Sequence, residues 1–328
     1  MNFHKVDDVW VAPDCSRRCE CMGPSVYCEQ RQCNESAQCD VKNGMRDCYC
    51  NDGFVGDGIN CAAAKGTCTV WGDPHYVTFD GIKFDFQGMC EYTLVKPCND
   101  SAEESFRITA RNMKKKPSDE VSLTEEIILD YRGSLYALRR RGELRVNGVI
   151  VTPPLRDGVQ IMINGFKLIL RTSFGLTIRW DGYTTAKISL LSSYSNQTCG
   201  LCGNFDRNPD NEFITPDGQM VLTPNEFGNS WMTSPDRCYN ETTEPNPCEG
   251  KREAKEQAED LCYIIINEFG AFGQCHDFVD PGPYHEACVY DLCAYLPEDD
   301  VFCDSVKEYV EACLNKGVEV ENWRSGAP

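Results

Sequence analysis

Residues 199–213, CGLCGNFDRNPDNEF, run a Cys-x-x-Cys pair straight into a loop crowded with Asn, Asp and Glu. Three chemistries compete for this pattern: a redox dithiol, a zinc knuckle, and two structural bridges beside a calcium loop. A redox dithiol needs an exposed thiolate of lowered pKa, usually at a helix N-terminus in a βαβ setting. Nothing around Cys199 predicts such a helix; Gly200 and Gly203 point instead to a tight turn between bridged strands. Zinc is disfavoured because the chain has four histidines and none lies near Cys199 in sequence. Structural bridges remain. The loop after them offers Asn204, Asp206, Asn208, Asp210, Asn211 and Glu212. Calcium takes six to eight oxygens from carboxylates, carboxamides and backbone carbonyls on a turn-rich loop, so a hard cation fits this set. The competing reading is an Asx-rich turn that satisfies its own backbone.

The rest of the chain favours an oxidised setting. It has 328 residues and 22 cysteines, a load that bridges only outside the reducing cytosol. Four N-x-[ST] sequons, at Asn34, Asn99, Asn196 and Asn240, agree as candidate N-glycosylation sites. The net charge of −19 argues against nucleic acid or an anionic membrane surface as partner and suits a cation-binding role. No apolar run approaches the roughly 20 residues that span a bilayer, so no direct membrane insertion is expected. The start, MNFHKVDDVWVAPDC, has no apolar leader core; with the cysteines, this gives the expectation of a fragment of a longer secreted chain.

Cysteine density divides the sequence. Residues 15–61 hold nine cysteines, residues 68–240 six, and residues 248–313 seven. The first stretch is expected to be held by bridges rather than by packing. Within it, CNESAQCDVKNGMRDCYCNDGFVGDGINC (33–61) resembles an EGF-like module in which Cys50 closes on Cys61. If Cys28 and Cys33 belong to that module, the pairs are 28–39, 33–48 and 50–61, and Cys15, Cys19 and Cys21 are stranded. If they belong to the upstream knot, CSRRCECMGPSVYC (15–28), four cysteines remain for a reduced EGF-like loop and one upstream cysteine is alone. The middle stretch reads as β-structure. YVTFDGIKFDF (76–86) alternates, with Val77, Phe79, Phe84 and Phe86 expected to point one way. LRVNGVIV (144–151) and VQIMINGFKLIL (159–170) carry Asn-Gly between β-rich arms, a strong hairpin signal. LTIRW and AKISLL continue the series, and many short strands at this spacing predict a sandwich or barrel. The last stretch changes period. REAKEQAEDLCYIIINEF (252–269) places Ala254, Ala258, Leu261, Cys262 and Ile265 at helical spacing. DDVFCDSVKEYVEACLNKG (299–317) places Val301, Phe302, Val306, Tyr309, Val310 and Cys313 on one stripe, with Gly317 as a stop. YNETTEPNPCEG (239–250) reads as the junction.

CTVWGDPHYVTFDGIKFDFQGMCEYTLVKPC (68–98), followed about a hundred residues later by CGLCGNFDRNPDNEF, resembles a von Willebrand factor type D domain. CHDFVDPGPYHEACVYDLCAYL (275–296) and the segment after it are similar to the C8 module that follows that domain. The N-terminal knot resembles the end of a TIL/E region. The resemblance implies four modules: 1–33 as a TIL/E-like remnant, 34–67 as an EGF-like region, 68–240 as a β-sandwich type D domain and 241–328 as a small disulfide-rich α-helical C8 module. It implies the pairs Cys68–Cys202, Cys90–Cys238 and Cys98–Cys199, then Cys248–Cys293, Cys262–Cys288 and Cys275–Cys313. Two departures stand out. The family's Cys-Ala-Cys is Cys293-Ala294-Tyr295 here, and the cysteine expected after Trp-Arg is absent, which leaves Cys303 without its usual partner. Among the loop oxygens the resemblance favours Asn204, Asp206, Asn211 and Glu212, and adds Asp80 from a distant strand, as ligands of a structural calcium ion. Relatives often carry Asp where this chain has the longer Glu212. The calcium would clamp a loop beside two bridges, each worth ~2–4 kcal/mol.

The Gly-Asp-Pro-His run adds a second chemistry. The Asp73 carboxylate can attack its own carbonyl to form a cyclic anhydride, the protonated Pro74 nitrogen can leave, and His75 can shuttle the proton. Several relatives with this run cleave themselves between Asp and Pro; the bland reading is a strand-entry turn in which proline fixes φ. Lys114–Lys116 and Arg139–Arg141 read as solvated strand ends rather than a polyanion patch. His276 and His285 read as ordinary core or surface histidines, with a pH switch in assembly as the sharper alternative. No nucleophile–base constellation, phosphate loop or lipidation signal is present, so the chain reads as non-enzymatic. The expected role is an assembly unit of a large secreted matrix, mucus or adhesion glycoprotein, partnered by other extracellular glycoproteins or copies of itself. A monomeric ligand-binding module and a self-processing protein are the alternatives.

Overall fold

In the computed structural model, the described residues are 8–42, 44–98, 104–114, 121–234, 238, 240, 246–295, 299–320 and 323. They fall into two units, one of the residues up to Gly66 with Leu190–Tyr194, the other of Thr67–Ser189 with those from Ser195 onward. The first unit is built from short hairpins: Arg17–Met22 with Ser25–Gln30, Ala37–Lys42 with Met45–Cys50, and Phe54–Gly56 with Cys61–Ala63. Val26, Tyr27, Val41, Met45 and Val55 are exposed, so little apolar surface is removed from water here. Four bridges do that holding: Cys15–Cys39, Cys19–Cys28, Cys33–Cys48 and Cys50–Cys61. The alternative pair 28–39 is therefore corrected. Antiparallel register sets Cys19 directly opposite Cys28 with Cα atoms 4.1 Å apart, which commits Cys28 to its own hairpin and leaves Cys39 for Cys15. Cys21 lies outside the bridges and is buried.

The second unit carries two sheets. The eight-stranded sheet runs Lys83–Asp85, His75–Val77, Lys65–Trp71, Ala186–Leu191, Thr177–Trp180, Lys167–Thr172, Val159–Asn164, Leu155–Asp157. The seven-stranded sheet runs Val149–Val151, Leu144–Val146, Ser134–Arg139, Leu123–Tyr131, Phe106–Met113, Glu91–Pro97, Thr198–Cys199. Trp180, Tyr76, Phe86, Tyr92, Tyr131, Ile108, Ile127 and Leu129 are fully buried, each contributing roughly 1.5–3 kcal/mol of burial. Contacts run from sheet to sheet: Trp180 Nε1 donates to the Arg139 carbonyl at 2.9 Å, and Asn112 Nδ2 donates to the Tyr76 hydroxyl at 3.4 Å.

Two local expectations are corrected. In 76–86 the buried alternation is Tyr76, Thr78, Phe84 and Phe86, with Val77 and Phe79 half-buried. Phe84 pairs with Tyr76 and stacks on it at 4.9 Å, while Phe79 turns the other way to meet Phe205 at 4.9 Å. Both faces of this hairpin are covered, so alternation alone did not fix its phase. The second Asn-Gly also differs from the first. Asn147 and Gly148 form the two-residue loop between Val146 and Val149, both at positive φ. At 164–165, Asn164 still pairs with Lys167, so the loop is Gly165-Phe166 with Gly165 at positive φ, a start suited to a type II′ turn.

Three helices follow the short helix α1 (Pro224–Ser230): α2 (Arg252–Ile266), α3 (Gly282–Tyr295) and α4 (Asp299–Asn315). Ala258, Cys262, Ile265, Phe272, Leu292, Val306, Tyr309 and Cys313 form their core. Cys248–Cys293, Cys262–Cys288 and Cys275–Cys313 knit them. After α4, Gly317 adopts positive φ and the Val318 amide reaches back to the Cys313 carbonyl. Residues 239 and 241–245 of the expected junction lie outside the described residues. No helix among the described residues is long and apolar enough to cross a membrane.

Candidate functional site

The Cys-x-x-Cys turn is anchored to both sheets. Cys202 bridges to Cys68 and Cys199 to Cys98, and Cys90 bridges to Cys238. The Leu201 and Cys202 amides donate to the Thr93 and Leu94 carbonyls at 3.0 and 2.9 Å. Gly200 permits this approach: a Cβ there would sit 2.3 Å from the Leu94 oxygen. Neither sulfur of the pair is free, and no helix starts beside it.

The acidic loop that follows draws Asp80, Asn204, Asp206 and Asn211 into one hydrogen-bonded network. Asp80 arrives from the turn after His75–Val77, and its carboxylate accepts the Asp206 and Arg207 amides at 2.9 Å each. Asp206 Oδ2 accepts from Asn204 Nδ2 at 3.0 Å and Asn211 Nδ2 at 2.8 Å, while Asn204 Nδ2 also reaches Asn211 Oδ1 at 3.1 Å. The Asx turns of the competing reading are present as well, since Asp206 Oδ1 accepts the Asn208 amide and Asn208 Oδ1 the Asp210 amide. Glu212 does not fit a self-satisfied turn. It is 4% exposed, and neither carboxylate oxygen accepts a hydrogen bond among the described residues. Burial, with the Asp80 charge beside it, pushes its carboxyl up to about 8. Gly203 makes room for it, because a Cβ there would lie 2.0 Å from Glu212 Oε2. A buried, poorly compensated Glu212 with the Asp80 charge beside it, next to a loop rich in carboxylate and carboxamide oxygens, is a donor set of the type that a hard divalent cation takes.

A second cluster lies at the Gly-Asp-Pro-His run, which turns the chain from Lys65–Trp71 into His75–Val77. His75 is fully buried. Its Nδ1 meets Asp85 Oδ1 at 2.7 Å and its Nε2 meets Asp291 Oδ1, from α3, at 2.8 Å. Asp73 Oδ1 lies 3.1 Å from the same Nε2, without hydrogen-bond geometry. Burial and the adjacent Asp291 hold the Asp73 carboxyl well above its ordinary range. Burial opposes a charge on His75, but Asp291 and Asp85 outweigh it and hold the imidazole well above its ordinary value. Burial would likewise raise Asp291, yet the His75 charge keeps it below the usual carboxylate range. Burial thus favours the protonated form of Asp73, while His75 and Asp291 favour each other's charged forms.

This cluster also fastens the helices to the sheets. Trp71 stacks on Tyr284 at 6.0 Å, Tyr290 meets His75 edge-on at 5.8 Å, and Lys83 donates to the Pro283 carbonyl. Lys187 pairs with the buried Glu308 at 3.0 Å and with Glu311, both on α4. Sequence reasoning found Asp73 and His75 but missed Asp85, Asp291 and Ser305. A carboxylate among Val289, Leu292 and Cys293 on the buried side of α3 was the available signal.

Other assigned residues stay apart from both clusters. Arg139 is spent on Glu125, Glu126 and Glu143, which accounts for one basic strand end. His276 Nε2 meets the Ile265 carbonyl at 2.9 Å. Asn196 and Asn240 are exposed, Asn34 is half-buried with Nδ2 donating to the Ile59 carbonyl at 3.4 Å, and Asn99 lies outside the described residues. Ten disulfides among the described residues place the chain in an oxidising, extracellular setting.

Comparison with known families matches residues 68–219 to the von Willebrand factor type D domain, 261–327 to the C8 domain and 1–49 to the TILa domain. Among curated proteins, the chain is similar to zonadhesin of Homo sapiens, 32% identical over 98% of this chain and 11% of that protein. It is also similar to the IgGFc-binding protein of Homo sapiens, 36% identical over 97% of this chain and 6% of that protein. Alpha-tectorin of Homo sapiens is 30% identical over 96% of this chain and 15% of its own length. The chain thus spans a small part of each of these relatives.

Proposed function

We propose that this chain, which carries a von Willebrand factor type D domain and a C8 domain behind a TILa domain, is a structural assembly module of a large extracellular adhesion or matrix glycoprotein. Its β-domain is clamped by one structural calcium ion held by Asp80, Asn204, Asp206, Asn211 and Glu212. The observation that carries this reading is Glu212, a buried carboxylate with no hydrogen bond, set beside the Asp80 charge. A hard cation supplies the compensation that the surrounding amides do not. The module performs no turnover; it presents a rigid surface to copies of itself or to other extracellular glycoproteins. Light scattering with calcium and with a chelator, at neutral and mildly acidic pH, tests the assembly role. Calcium-dependent growth in mass supports it, and an unchanged monomer under all four conditions points to the ligand-binding alternative.

A second reading is self-processing at Asp73–Pro74, favoured by one observation: at that peptide bond the fully buried Asp73 carboxyl, held above its ordinary range by burial, stands 3.1 Å from the buried His75 Nε2. A reducing gel after mild acid exposure tests it. The reading expects a break after residue 73, and intact chain at every pH contradicts it.

A further inference from the structure

His75 Nε2 carries at most one hydrogen, and two carboxylates converge on it. Asp291 Oδ1 takes that hydrogen at 2.8 Å, and Asp73 Oδ1 stands 3.1 Å away with both of its oxygens unbonded and 0% of the residue exposed. The three ligating atoms lie within 4.8 Å of one another. We infer that Asp73, His75 and Asp291 form a binding site for a four-coordinate zinc ion, separate from the calcium loop.

The donor set selects the metal. One imidazole nitrogen and two carboxylate oxygens suit Zn²⁺, which commonly takes three protein ligands and keeps a fourth position for water. Calcium needs six to eight oxygens, more than this pocket offers, and no thiolate is present to favour copper(I). Zinc bonds of about 2.0–2.1 Å in a tetrahedron put ligand atoms roughly 3.3 Å apart. The observed 2.8 and 3.1 Å contacts therefore open by only a few tenths of an ångström to admit the ion.

The surroundings are those of a held ligand set. Asp85 takes Nδ1 at 2.7 Å, which turns Nε2 toward the two carboxylates. Ser305 Oγ donates to Asp291 Oδ2 at 3.1 Å and fixes that carboxylate. Trp71, 5.3 Å from the imidazole, and Tyr290 wall the ring. Gly72 leaves space, since a Cβ there would lie 2.8 Å from Asp291 Oδ2. Entry and the open coordination position are supplied by a cavity of about 570 Å³ whose lining includes Gly72, Asp73, Asp291 and Ser305. Three carboxylates, two of them buried, surround one imidazole and can carry more negative than positive charge, and a divalent ion corrects that imbalance.

The test uses the whole calcium-saturated chain with cobalt(II) as the spectroscopic probe. The expected result is one cobalt ion per chain with the intense visible bands of four-coordinate cobalt, displaced by one equivalent of zinc. Asp73→Asn abolishes it, Glu212→Gln leaves it intact, and Asp85→Asn, at a half-exposed position, weakens it by roughly 10–100-fold. If Asp73→Asn does not fold, the His276→Gln/His285→Gln variant decides, since those histidines are the other described imidazoles; binding retained there supports the site. Absence of cobalt binding in the wild type, a six-coordinate spectrum, undiminished affinity in folded Asp73→Asn or in Asp85→Asn, or loss in the His276→Gln/His285→Gln variant overturns the inference.

Discussion

Asp80 and Glu212 face backbone and side-chain amides on a surface loop, whereas Asp73 and Asp291 face a buried imidazole between sheet and helix. In the loop, the Asp80 carboxylate accepts two amide hydrogens, whereas burial and the Asp80 charge leave the Glu212 carboxyl poorly compensated and raised to about 8. In the buried cluster, His75 supplies a positive charge that the chain makes itself, enough for Asp291 and Asp85 but not for Asp73 as well. The comparison teaches where charge imbalance acts. On the loop it leaves a place that the proposed calcium ion would fill; under α3 it ties the helices to the sheets.

The largest expected effect therefore comes from Asp291→Ala. It strips the buried imidazole of one partner and cuts the tie from α3 to the sheets, so thermal unfolding should show a loss of about 3–5 kcal/mol. A loss under about 1 kcal/mol would mean that the cluster is incidental to the helix–sheet contact. Removal of calcium comes next. With free calcium near a thousand times its dissociation constant, a chelator should cost about 4 kcal/mol, read as a fall in melting temperature. In zinc-free buffer, Asp291→Ala should respond to calcium removal as the wild type does, which separates the two regions.

The pH response sharpens the contrast. In the ion-free protein Glu212 titrates at about 8, above its ordinary 4.5, so the folded state binds more protons than the unfolded state in that window. Its contribution is fully present below about pH 4.5 and declines as pH rises toward 8, by up to ~1.4 kcal/mol per unit. Calcium must displace that proton, so affinity should rise about tenfold per pH unit up to 8 and level off above it. Titrations at several pH values check this; a flat profile breaks the assignment of Glu212. The smallest effect is expected from Arg252→Ala, which removes an exposed pair with Glu256 on α2, far from either cluster. Its cost in denaturant unfolding should stay below ~0.5 kcal/mol.

Much of this molecule is legible in its sequence where the signal is local. Asn147-Gly148 encodes its hairpin, and the stripes through Cys262 and Val306 encode α2 and α4, because turn chemistry and helical period act over a few residues. Sequence patterns also offered Asn204, Asp206, Asn208, Asp210, Asn211 and Glu212, which share one loop, and the family resemblance chose among them. Asp80 was reached only through the family resemblance, since it is 126 residues away from the amide that it accepts. The partners of His75 were not legible. Asp291 lies 216 residues away on a helix, and only tertiary packing joins them. The phase of 76–86 was lost for a related reason: apolar residues on both sides of the hairpin are covered, by Phe84 on one side and Phe205 on the other. Cysteine pairing in residues 15–61 depended on hairpin register, which spacing does not encode.

Calorimetric titration of calcium into chelator-treated wild type and into Glu212→Gln decides whether the acidic loop holds an ion. A calcium clamp predicts one ion bound per wild-type chain and none by the variant over the same concentrations. Equal binding by both proteins, or no binding by the wild type, would contradict it.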